Sequence, residues 1–520
     1  MTKHLHNTSL TRVARAAAII AFTVFAACTT SSTPSASATA TASQRAPAPG
    51  GPTLPFKLEV VEVTGSTLPP LHSFSAATAD GKWLLIGGRI AGLHGFTSGT
   101  NNFPRSSANT VAYVIDPSTN KVTGSVDLVN ALPANLAGPL TATNPEFVQV
   151  GSSLYIVGGY GKDVTTPSGG MTTFGSIVKV DVPGLIQAIV NKQPIAGFFA
   201  HNAKPDNRLK VTGGGLTQAN GTFFLTFGQD FSGDYSIQNR DYNRAGGQFQ
   251  KYTEKVRVFT LAGNLSINTF TQIDGGYDPS LPYHRRDLNV VDVMQSDGRT
   301  PATTIYGGVF MAGQVAGHTA PIDLDYSNAG KPVVTVRSGF KQALNHYDCA
   351  RVTIFDQASA SSFTSLLGGI SQYHYDARTN MLVLDQIDLA RGVDGLPFIP
   401  TISTIQRGPN AAFSQFIQPT ALPTWLGADA QFLIASGVPT VGNGVINLAA
   451  LRGRTLVGYM YGGIESGGPY STLVPTQPAT KASNRLFQIY VTPGATPVIP
   501  MPPLPTKPTP WPPVGQVGPK

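Results

Sequence analysis

Short apolar runs that end in a pair of glycines dominate the hydrophobic pattern of this chain. The run Trp83–Ile86, for example, leads directly into Gly87 and Gly88. Apolar runs bounded by turn residues predict strands, and glycine at a strand end allows backbone angles or close approach that a Cβ would forbid. The pair or its near relative recurs at Gly87-Gly88, Gly158-Gly159, Phe227-Gly228, Gly307-Gly308, Gly368-Gly369 and Gly462-Gly463. The recurrence predicts a supersecondary unit repeated along the chain.

Each repeat is predicted to contain several strands arranged around its glycine pair. In the first repeat, a strand beginning at Ser73 precedes the pair, and strands at Thr110–Ile115 and Lys121–Leu128 follow it. The same order places the first strand of the third repeat at Leu209–Val211 and the third strand of the fifth repeat at Met381–Leu389. Alternating apolar residues bounded by turns support these strands.

The two ends of the repeat region complement each other. The sixth repeat lacks a fourth strand, whereas the strand-like segment Phe56–Val63 precedes the first repeat without a unit of its own. Pairing this segment with the last repeat would remove an open sheet edge. We therefore expect residues 55–64 to complete the sixth unit and to close a ring.

The glycine pairs, the strand ahead of each pair and the Asp116-Pro117 turn resemble Kelch repeats. This resemblance implies an all-β fold, a six-bladed Kelch-type β-propeller over residues 55–494, with the ring closed by an N-terminal strand that completes the last blade. Propellers include both binding modules and enzymes, so the fold alone does not assign a function.

Composition agrees with many short strands and limits the kinds of partner. The 520 residues include 56 glycines and 41 prolines, and only 12% are charged. The formal net charge is +8, but part of it lies in the two terminal segments. Because no run of Lys and Arg interleaved with aromatic residues occurs, nucleic acid is not an expected partner.

The N-terminus resembles an export signal. Lys3, Arg12 and Arg15 precede an apolar stretch, residues 16–27, that is too short to span a bilayer. The stretch ends in Phe25-Ala26-Ala27-Cys28, which resembles a bacterial lipoprotein signal whose cysteine is lipidated. The alternative is an ordinary secretory signal cut near Ala36-Ser37-Ala38. We expect residues 1–28 to be a lipoprotein-type signal peptide.

The predicted export signal sets the expected location. Residues 29–54 are rich in Ser, Thr, Ala and Pro, as in a flexible tether. We expect an extracytoplasmic protein of the bacterial cell envelope, lipid-anchored through Cys28 to the outer membrane. Cys349 would then have no disulfide partner, and residues 495–520 are predicted to form a proline-rich polyproline tail.

Polar residues at the entries of the predicted first strands are the candidate ligand-binding residues, because entry segments converge near the axis of a propeller. The densest segment contains His284, Arg285, Arg286 and Asp287. Arginine presents a planar fork that matches carboxylates and phosphates, so these residues suggest an anionic ligand. The alternative is an arginine pair satisfied by neighbouring carboxylates.

Two further entries add imidazole and carboxylate groups. His346, Tyr347 and Asp348 precede the fifth repeat, and His72 begins the first. Histidine near aspartate suits a general base or a metal ligand, but neighbouring residues on a strand point to opposite faces. Cys349 is expected to pack as a small buried group.

Polar segments outside the strand entries are predicted to form turns rather than ligand or metal sites. Gln372–Asp376 and Arg89 follow glycine pairs and suit either sugar binding or ordinary turns. Asp323–Asn328 only faintly resembles a calcium loop, because the required glycine and glutamate are out of register. The sequence predicts no cofactor and no metal site, and it assigns no catalytic residue.

Three functions remain open from the sequence. The first is a binding module for a glycan or protein at the cell envelope, which needs no catalytic set. The second is an enzyme acting on an anionic sugar, analogous to the Kelch sialic acid mutarotases, with Arg285 or Arg286 gripping a carboxylate and His284 or His346 moving protons. The third is a copper oxidase of the galactose oxidase type, for which Cys349 is the only internal cysteine.

Overall fold

Antiparallel sheets make up most of the part of the chain that the computed structural model describes. The described residues are 45–95, 101–165, 169–235, 249–275, 282–311, 316–327, 332–384, 396–469 and 480–505. Strands account for 51% of the chain and helices for 9%, so the predicted all-β class is confirmed. Within the described residues, no helix is long and apolar enough to cross a membrane.

The strands form sheets that follow one another along the chain, and strand β1 (Thr53–Glu62) precedes them all. The first sheet consists of β2 (Ser75–Ala79), β3 (Lys82–Ile86), β4 (Val111–Asp116) and β5 (Lys121–Asp127). The second consists of β6 (Glu146–Val150), β7 (Ser153–Val157), β10 (Ile177–Asp181) and β11 (Phe199–His201). The third consists of β12 (Gly215–Ala219), β13 (Thr222–Thr226), β16 (Lys255–Leu261) and β17 (Ile267–Asp274). The fourth consists of β18 (Arg286–Met294), β19 (Pro301–Val309), β20 (Ile322–Asp325) and β21 (Val333–Val336).

The last two sheets combine distant parts of the chain. The fifth has β22 (Ala350–Asp356), β23 (Ser361–Leu367), β26 (Thr401–Arg407) and β27 (Phe413–Ala421), extended by β29 (Thr440–Gly442), β30 (Val445–Asn447) and β34 (Ile499–Pro500). The sixth has β28 (Trp425–Ile434), β31 (Thr455–Ser466), β33 (Leu486–Pro497) and β1, with β32 (Lys481–Ala482) beside β31. The predicted pairing of the N-terminal strand with the last unit is confirmed, since Val60 lies opposite Ile489 in β33.

Smaller elements occupy the connections. One additional sheet joins β8 (Tyr160–Lys162), β9 (Met171–Thr173), β14 (Gln229–Ser232) and β15 (Phe249–Tyr252), and β24 (Tyr373–Asp376) pairs with β25 (Met381–Leu384). The α-helices are α1 (Leu128–Ala131), α2 (Ala134–Leu140) and α3 (Val182–Val190). Short 3-10 helices cover Arg105–Ser107, Ala196–Phe198, Asn207–Leu209, Pro409–Ala411 and Leu448–Ala450.

Two strand predictions are wrong, and two predicted boundaries differ from the structure. The third sheet begins at β12, after Leu209–Val211, because the Asn220-Gly221 turn with both φ angles positive joins β12 to β13. In the fifth sheet the third strand is β26, whereas Met381–Leu384 pairs only with β24. Strand β1 starts at Thr53, within the predicted linker 29–54, and the side chain of its second residue, Leu54, is buried.

The predicted tail 495–520 also begins within a sheet. Strand β33 continues to Pro497, and β34 pairs with β27. Val498 and Ile499 are the apolar residues of this segment, and both are buried. Burial of these side chains holds the start of the proline-rich segment against the fifth sheet, and residues 506–520 lie outside the described residues.

The hydrophobic core is divided into clusters that lie between pairs of sheets. Leu84 and Ile86 of β3 pack with Leu154 of the second sheet. Trp83 and Leu85, on the opposite face of β3, pack against the sixth sheet. Since successive residues of a strand point to opposite faces, the uninterrupted apolar run before each glycine pair buries both faces of its sheet.

The glycine pairs connect one sheet to the next. Both members of every pair have positive φ, and in the third repeat Phe227 adopts φ 54° in place of the first glycine. The N–H of the second residue donates to the strand entry of the following sheet in most repeats, with Gly88 to Ala142, Gly159 to Val211, Gly228 to Arg285, Gly369 to Leu426 and Gly463 to Leu71. The last of these bonds runs from the sixth sheet to the first.

Replacing Gly158 with alanine is expected to destabilise the protein by about 3 kcal/mol or more. Gly158 has φ 67°, and an added Cβ would overlap the backbone oxygen of Val211 in the next sheet. Gly151→Ala is the matched control, because Gly151 has φ 58° but open space around it. Backbone strain alone should cost the control about 1–2 kcal/mol in urea unfolding. Equal losses in the two variants would contradict a close contact between the sheets.

Candidate functional site

Backbone hydrogen bonds join the entries of most of the sheets. One residue with positive φ lies at each entry: Ser73, Asn144, Gly213 and Asp348 precede the first strand, Asp287 is the second residue of β18, and Asp429 lies within β28. Five of these entry residues donate their N–H to the carbonyl of another, with Asn144 to Ser73 at 3.1 Å, Gly213 to Asn144 at 3.2 Å, Asp287 to Gly213 at 2.6 Å, Asp429 to Asp348 at 2.6 Å and Ser73 to Asp429 at 3.3 Å. These bonds hold entry residues of different sheets close together.

A small cavity of about 60 Å³ is lined by several of these entry residues. Most of its other wall residues come from two positions of the repeats, the residue before the positive-φ residue and the residue after the glycine pair. These two positions pair with each other across the sheet, as in His72 with Arg89 and Tyr347 with Ile370. The polar groups lining the cavity include His72, Arg89, Tyr160, Gln229, Arg286, Asp287, Tyr347 and Asp429.

Arg89 carries a buried guanidinium that lacks an acidic partner. The residue is only 5% exposed, and its Nε atom has no hydrogen-bond partner among the described residues. No ion pair joins Arg89 to a carboxylate of the described chain. The guanidinium carbon lies 4.5 Å from the ring centroid of Phe103. Burial lowers the pKa of Arg89 to about 10, so the group is still cationic at neutral pH.

Arg286 also reaches the cavity, but its charge is already matched. Its Nη1 lies 2.5 Å from Oδ2 of Asp287, and its Nε and Nη2 donate to the hydroxyls of Tyr252 and Tyr235 at 3.1 and 3.2 Å. The Tyr347 hydroxyl donates to the same Asp287 oxygen at 2.7 Å. The sequence left open whether the arginines bind a ligand or are satisfied by neighbouring protein groups. Arg286 is satisfied by protein groups.

Arg285 and His284 point away from the cavity. Arg285 is fully buried and donates to the carbonyls of Pro282, Gly307 and Ala320. Nδ1 of His284 lies 2.5 Å from Oε1 of Glu254, and the His284 ring stacks on Tyr252. These contacts hold the entry segment of the fourth sheet in place, so both residues have structural partners.

Of the two remaining histidine candidates, His72 lines the small cavity and His346 does not. Nδ1 of His72 lies 2.8 Å from Ser73 Oγ, and its Nε2 lies 2.9 Å from the Ala91 carbonyl. Burial lowers the pKa of His72 to about 3, so the imidazole is neutral. His346 is buried between the Gly368 carbonyl and Ser403 Oγ, at 2.7 Å from each, and does not line the cavity.

Asp348 lines a larger cavity of about 480 Å³. Asp348 is 3.6 Å from Arg351, and Glu146 and Asp292 line the same space. Among the described residues, no three His, Cys, Asp or Glu side chains are arranged to hold a metal ion. Cys349 is buried, and burial raises the pKa of its thiol to about 12, in keeping with a packing role.

The strand entries were predicted to supply the site, but the residues after the glycine pairs, which also line the cavity, were not among the predicted site residues. Arg89, Tyr160 and Gln229 all occupy this position and line the cavity, whereas Arg89 was expected to suit a turn as well as a site. The recurrence of the pairs contains this signal, because the residue after the pair occupies an equivalent place in each repeat. Asp429 was also missed, since the entry of the sixth repeat carries no dense polar cluster.

Comparison with known proteins gives little further information. No family model matches the sequence, and a search of curated proteins found no match. Among solved structures, the structure of YjhT is similar over 80% of this chain and 98% of that chain, with 13% sequence identity and a TM-score of 0.43.

Proposed function

We propose that this chain is an exported, lipid-anchored binding protein of the bacterial cell envelope, and that its small cavity receives the carboxylate of an acidic glycan. The buried, unpaired guanidinium of Arg89 is the observation that carries this proposal. A buried charge without a partner is costly, and the cost is offset when a ligand supplies the opposite charge. The anchor is proposed from the sequence, because Cys28 lies outside the described residues.

The proposal includes a six-bladed Kelch-type propeller as the scaffold. The first strands of the sheets contact one another in cyclic order, β2 with β6, β6 with β12, β12 with β18, β18 with β22, β22 with β28 and β28 with β2. The bonds from Ser73 to Asp429 and from Gly463 to Leu71 also join the last sheet to the first. Such a sequence of contacts is expected if the sheets are the blades of a closed ring.

The size of the small cavity favours one acidic group over a whole ligand. A water molecule occupies about 30 Å³ of liquid, so a cavity of 60 Å³ holds a group as large as a carboxylate. The rest of the ligand would lie outside the described cavity. Phe103 lies beside Arg89, and its ring meets the rings of Tyr160 and Tyr235 edge to face. Aromatic faces and hydroxyls suit the apolar faces and hydroxyls of sugars, which favours a glycan over a peptide.

Binding is favoured over the enzymatic alternative by the positions of the histidines. The proposed proton carriers His284 and His346 do not line the cavity, and both are engaged with protein groups. A general base must lie within hydrogen-bond reach of the proton that it removes. His72 does line the cavity, but both of its nitrogens are engaged with Ser73 and Ala91.

The test compares two oligosaccharides that differ only in a terminal glucuronic acid or glucose residue, titrated into the mature protein by calorimetry. We expect the acidic oligosaccharide to bind about 10- to 100-fold more tightly, as one or two charge-assisted hydrogen bonds would give. Equal affinity for the two sugars would contradict the proposal. Tighter binding of a peptide with a free terminal carboxylate would instead indicate a protein ligand.

A further inference from the structure

We propose that the glycan carries a second acidic group beside the one at Arg89, and that Arg105 and Lys162 bind this second group in a neighbouring cavity. That cavity, which we call the side cavity, has a volume of about 20 Å³. Its lining includes Arg89, Arg105, Lys162, Phe103, Thr141 and Tyr160. The inference rests on the proposed function and deepens it, because it defines the ligand as a glycan with at least two acidic groups.

The side cavity adjoins the small cavity at Arg89. Four residues line both cavities, namely Arg89, Phe103, Thr143 and Tyr160. The guanidinium of Arg89 lies over the Phe103 ring, and this ring meets that of Tyr160 edge to face at 5.2 Å. Because the two cavities share these walls, a ligand whose carboxylate contacts Arg89 has its neighbouring sugar close to the side cavity.

The backbone places Arg105 beside Arg89. A 3-10 helix begins at Arg105, and Ala108, which follows this helix, pairs with Arg89 in an antiparallel bridge. Nη1 of Arg105 donates to Thr141 Oγ1 at 3.0 Å, and Thr141 is only 2% exposed. A neutral hydroxyl therefore positions the guanidinium of Arg105 without neutralising its charge.

Lys162 comes from strand β8. Residues two apart on a strand point to the same face, so Lys162 lies on the same face of β8 as Tyr160. Met171, which lies opposite Lys162 in β9, also lines the side cavity. The strand thus extends the wall that begins at Tyr160 and places a second cation on it.

The side cavity is lined by charges of one sign. Three of its described lining residues are cationic, Arg89, Arg105 and Lys162, and none is Asp or Glu. Within the described chain, neither Arg105 nor Lys162 forms an ion pair with a carboxylate. A cleft lined by one sign of charge attracts ligands of the opposite sign. The charges therefore favour an anionic group here as well as at Arg89.

Two carboxylates act on or adjoin these cations but are engaged elsewhere. Asp163 follows Lys162, and its Oδ1 accepts from the N–H and the hydroxyl of Thr165 at 2.9 and 2.6 Å. Burial lowers the pKa of Arg105, and the charge of Asp127 opposes part of this shift. Asp127 Oδ2 accepts from the hydroxyl of Thr110 at 2.8 Å. Neither carboxylate lines the side cavity, so its positive charge is available to a ligand.

The size of the side cavity limits how the second group enters it. A cavity needs about 10–15 Å³ to hold a water molecule, so 20 Å³ admits one oxygen of an acidic group while the rest stays at the mouth. Guanidinium and ammonium groups both donate to such oxygens in charge-assisted hydrogen bonds. A sugar hydroxyl would also fit, but it would leave the cations uncompensated.

The experiment titrates oligosaccharides of equal length into the mature wild-type protein by calorimetry. All end in glucuronic acid, and the variants carry a second glucuronic acid in place of glucose at one of the next two positions. We expect one of the two diacids to bind about tenfold more tightly than the monoacid, as one charge-assisted hydrogen bond at a partly exposed site would give. Equal affinity of all three would overturn the inference, and a preference of the monoacid over the neutral sugar would still support the proposed function. Absence of any preference for acids would overturn both.

Variants assign the gain to the side cavity. In Arg105→Met/Lys162→Met, the ratio of diacid to monoacid affinity should fall to about one. Lys121→Met/Arg299→Met is the matched control, because it removes the same net charge from exposed residues that line none of the described cavities. The control should keep the tenfold ratio.

A tenfold ratio retained in Arg105→Met/Lys162→Met would overturn the assignment. If that double variant does not fold, Lys162→Met alone provides the test, because Lys162 is partly exposed and lies in a short strand. The single variant should reduce the ratio by about threefold, and an unchanged ratio would exclude Lys162 from the site.

Discussion

Replacing Arg89 with methionine is expected to weaken binding of the acidic oligosaccharide by about 100-fold, because a buried charge-assisted pair contributes about 2–5 kcal/mol when one partner is removed. Arg89 is the guanidinium of the cavity that no described carboxylate neutralises, so its charge is available to a ligand. Methionine keeps the length of the side chain and its contact with Phe103. Calorimetric titration of the variant with the acidic and neutral oligosaccharides measures the loss, and the preference for the acid should disappear.

The same variant should not lose stability. An unpaired guanidinium that is 5% exposed costs solvation energy in the free protein. Its replacement by an apolar side chain of similar size should leave the free energy of unfolding unchanged or raise it by about 1 kcal/mol or more. Residues of a binding site commonly lower the stability of the free protein.

Arg485→Met is the matched control for Arg89. Arg485 lies 2.7 Å from Glu62 and 3.2 Å from Glu465 and does not line the small cavity. Its loss should leave glycan binding unchanged and reduce stability by about 1 kcal/mol or less, as for a partly exposed ion pair. Normal binding by Arg89→Met together with a large loss of stability would show that Arg89 is structural.

Replacing Phe56 with alanine is expected to destabilise the protein by about 3–5 kcal/mol, the usual cost of removing a buried aromatic ring. Phe56 is 1% exposed in β1, and its ring meets that of Phe363 in the fifth sheet edge to face at 5.6 Å. The strand that carries it pairs with β33 near the other end of the chain. Loss of this ring therefore weakens the junction that the proposed closed propeller needs.

Urea unfolding and limited proteolysis of Phe56→Ala measure this effect. Val61→Ala is the matched control in the same strand, because Val61 is 39% exposed. Its stability should change by less than about 1 kcal/mol. Small and equal effects of the two substitutions would mean that β1 does not contribute to the core.

The all-β class and the order of the sheets were predictable because they depend on local signals. An apolar run that buries both faces, followed by residues that tolerate positive φ, occurs six times, and each occurrence corresponds to a second strand in the structure. The unpaired N-terminal strand was also predictable, since a missing strand at one end matched a surplus strand at the other. The failures at Leu209–Val211 and at Met381–Leu384 arose where inserted connections contain apolar residues of their own, and residues 385–389 of the second prediction lie outside the described residues.

The candidate site was predicted only in part. The entry segments were identified correctly as a source of cavity residues, and His72, Arg286, Asp287 and Tyr347 do line the cavity. His284, Arg285 and His346 belong to the same segments but bond to protein groups outside the small cavity. Sequence cannot separate these two groups, because residues of both groups precede the same positive-φ residues and the direction of each side chain depends on the packed sheets.

The sequence by itself determined the repeat, the strands around each glycine pair and the partner of the N-terminal strand, because these features follow from short-range backbone preferences and from alternation of buried faces. Only the tertiary structure decided which charges are compensated. Arg286 and Arg89 both line the small cavity, yet Arg286 contacts Asp287 and two tyrosines, whereas Arg89 contacts no described carboxylate. Compensation of a buried charge depends on side chains far apart in sequence, and that information exists only once the sheets have packed.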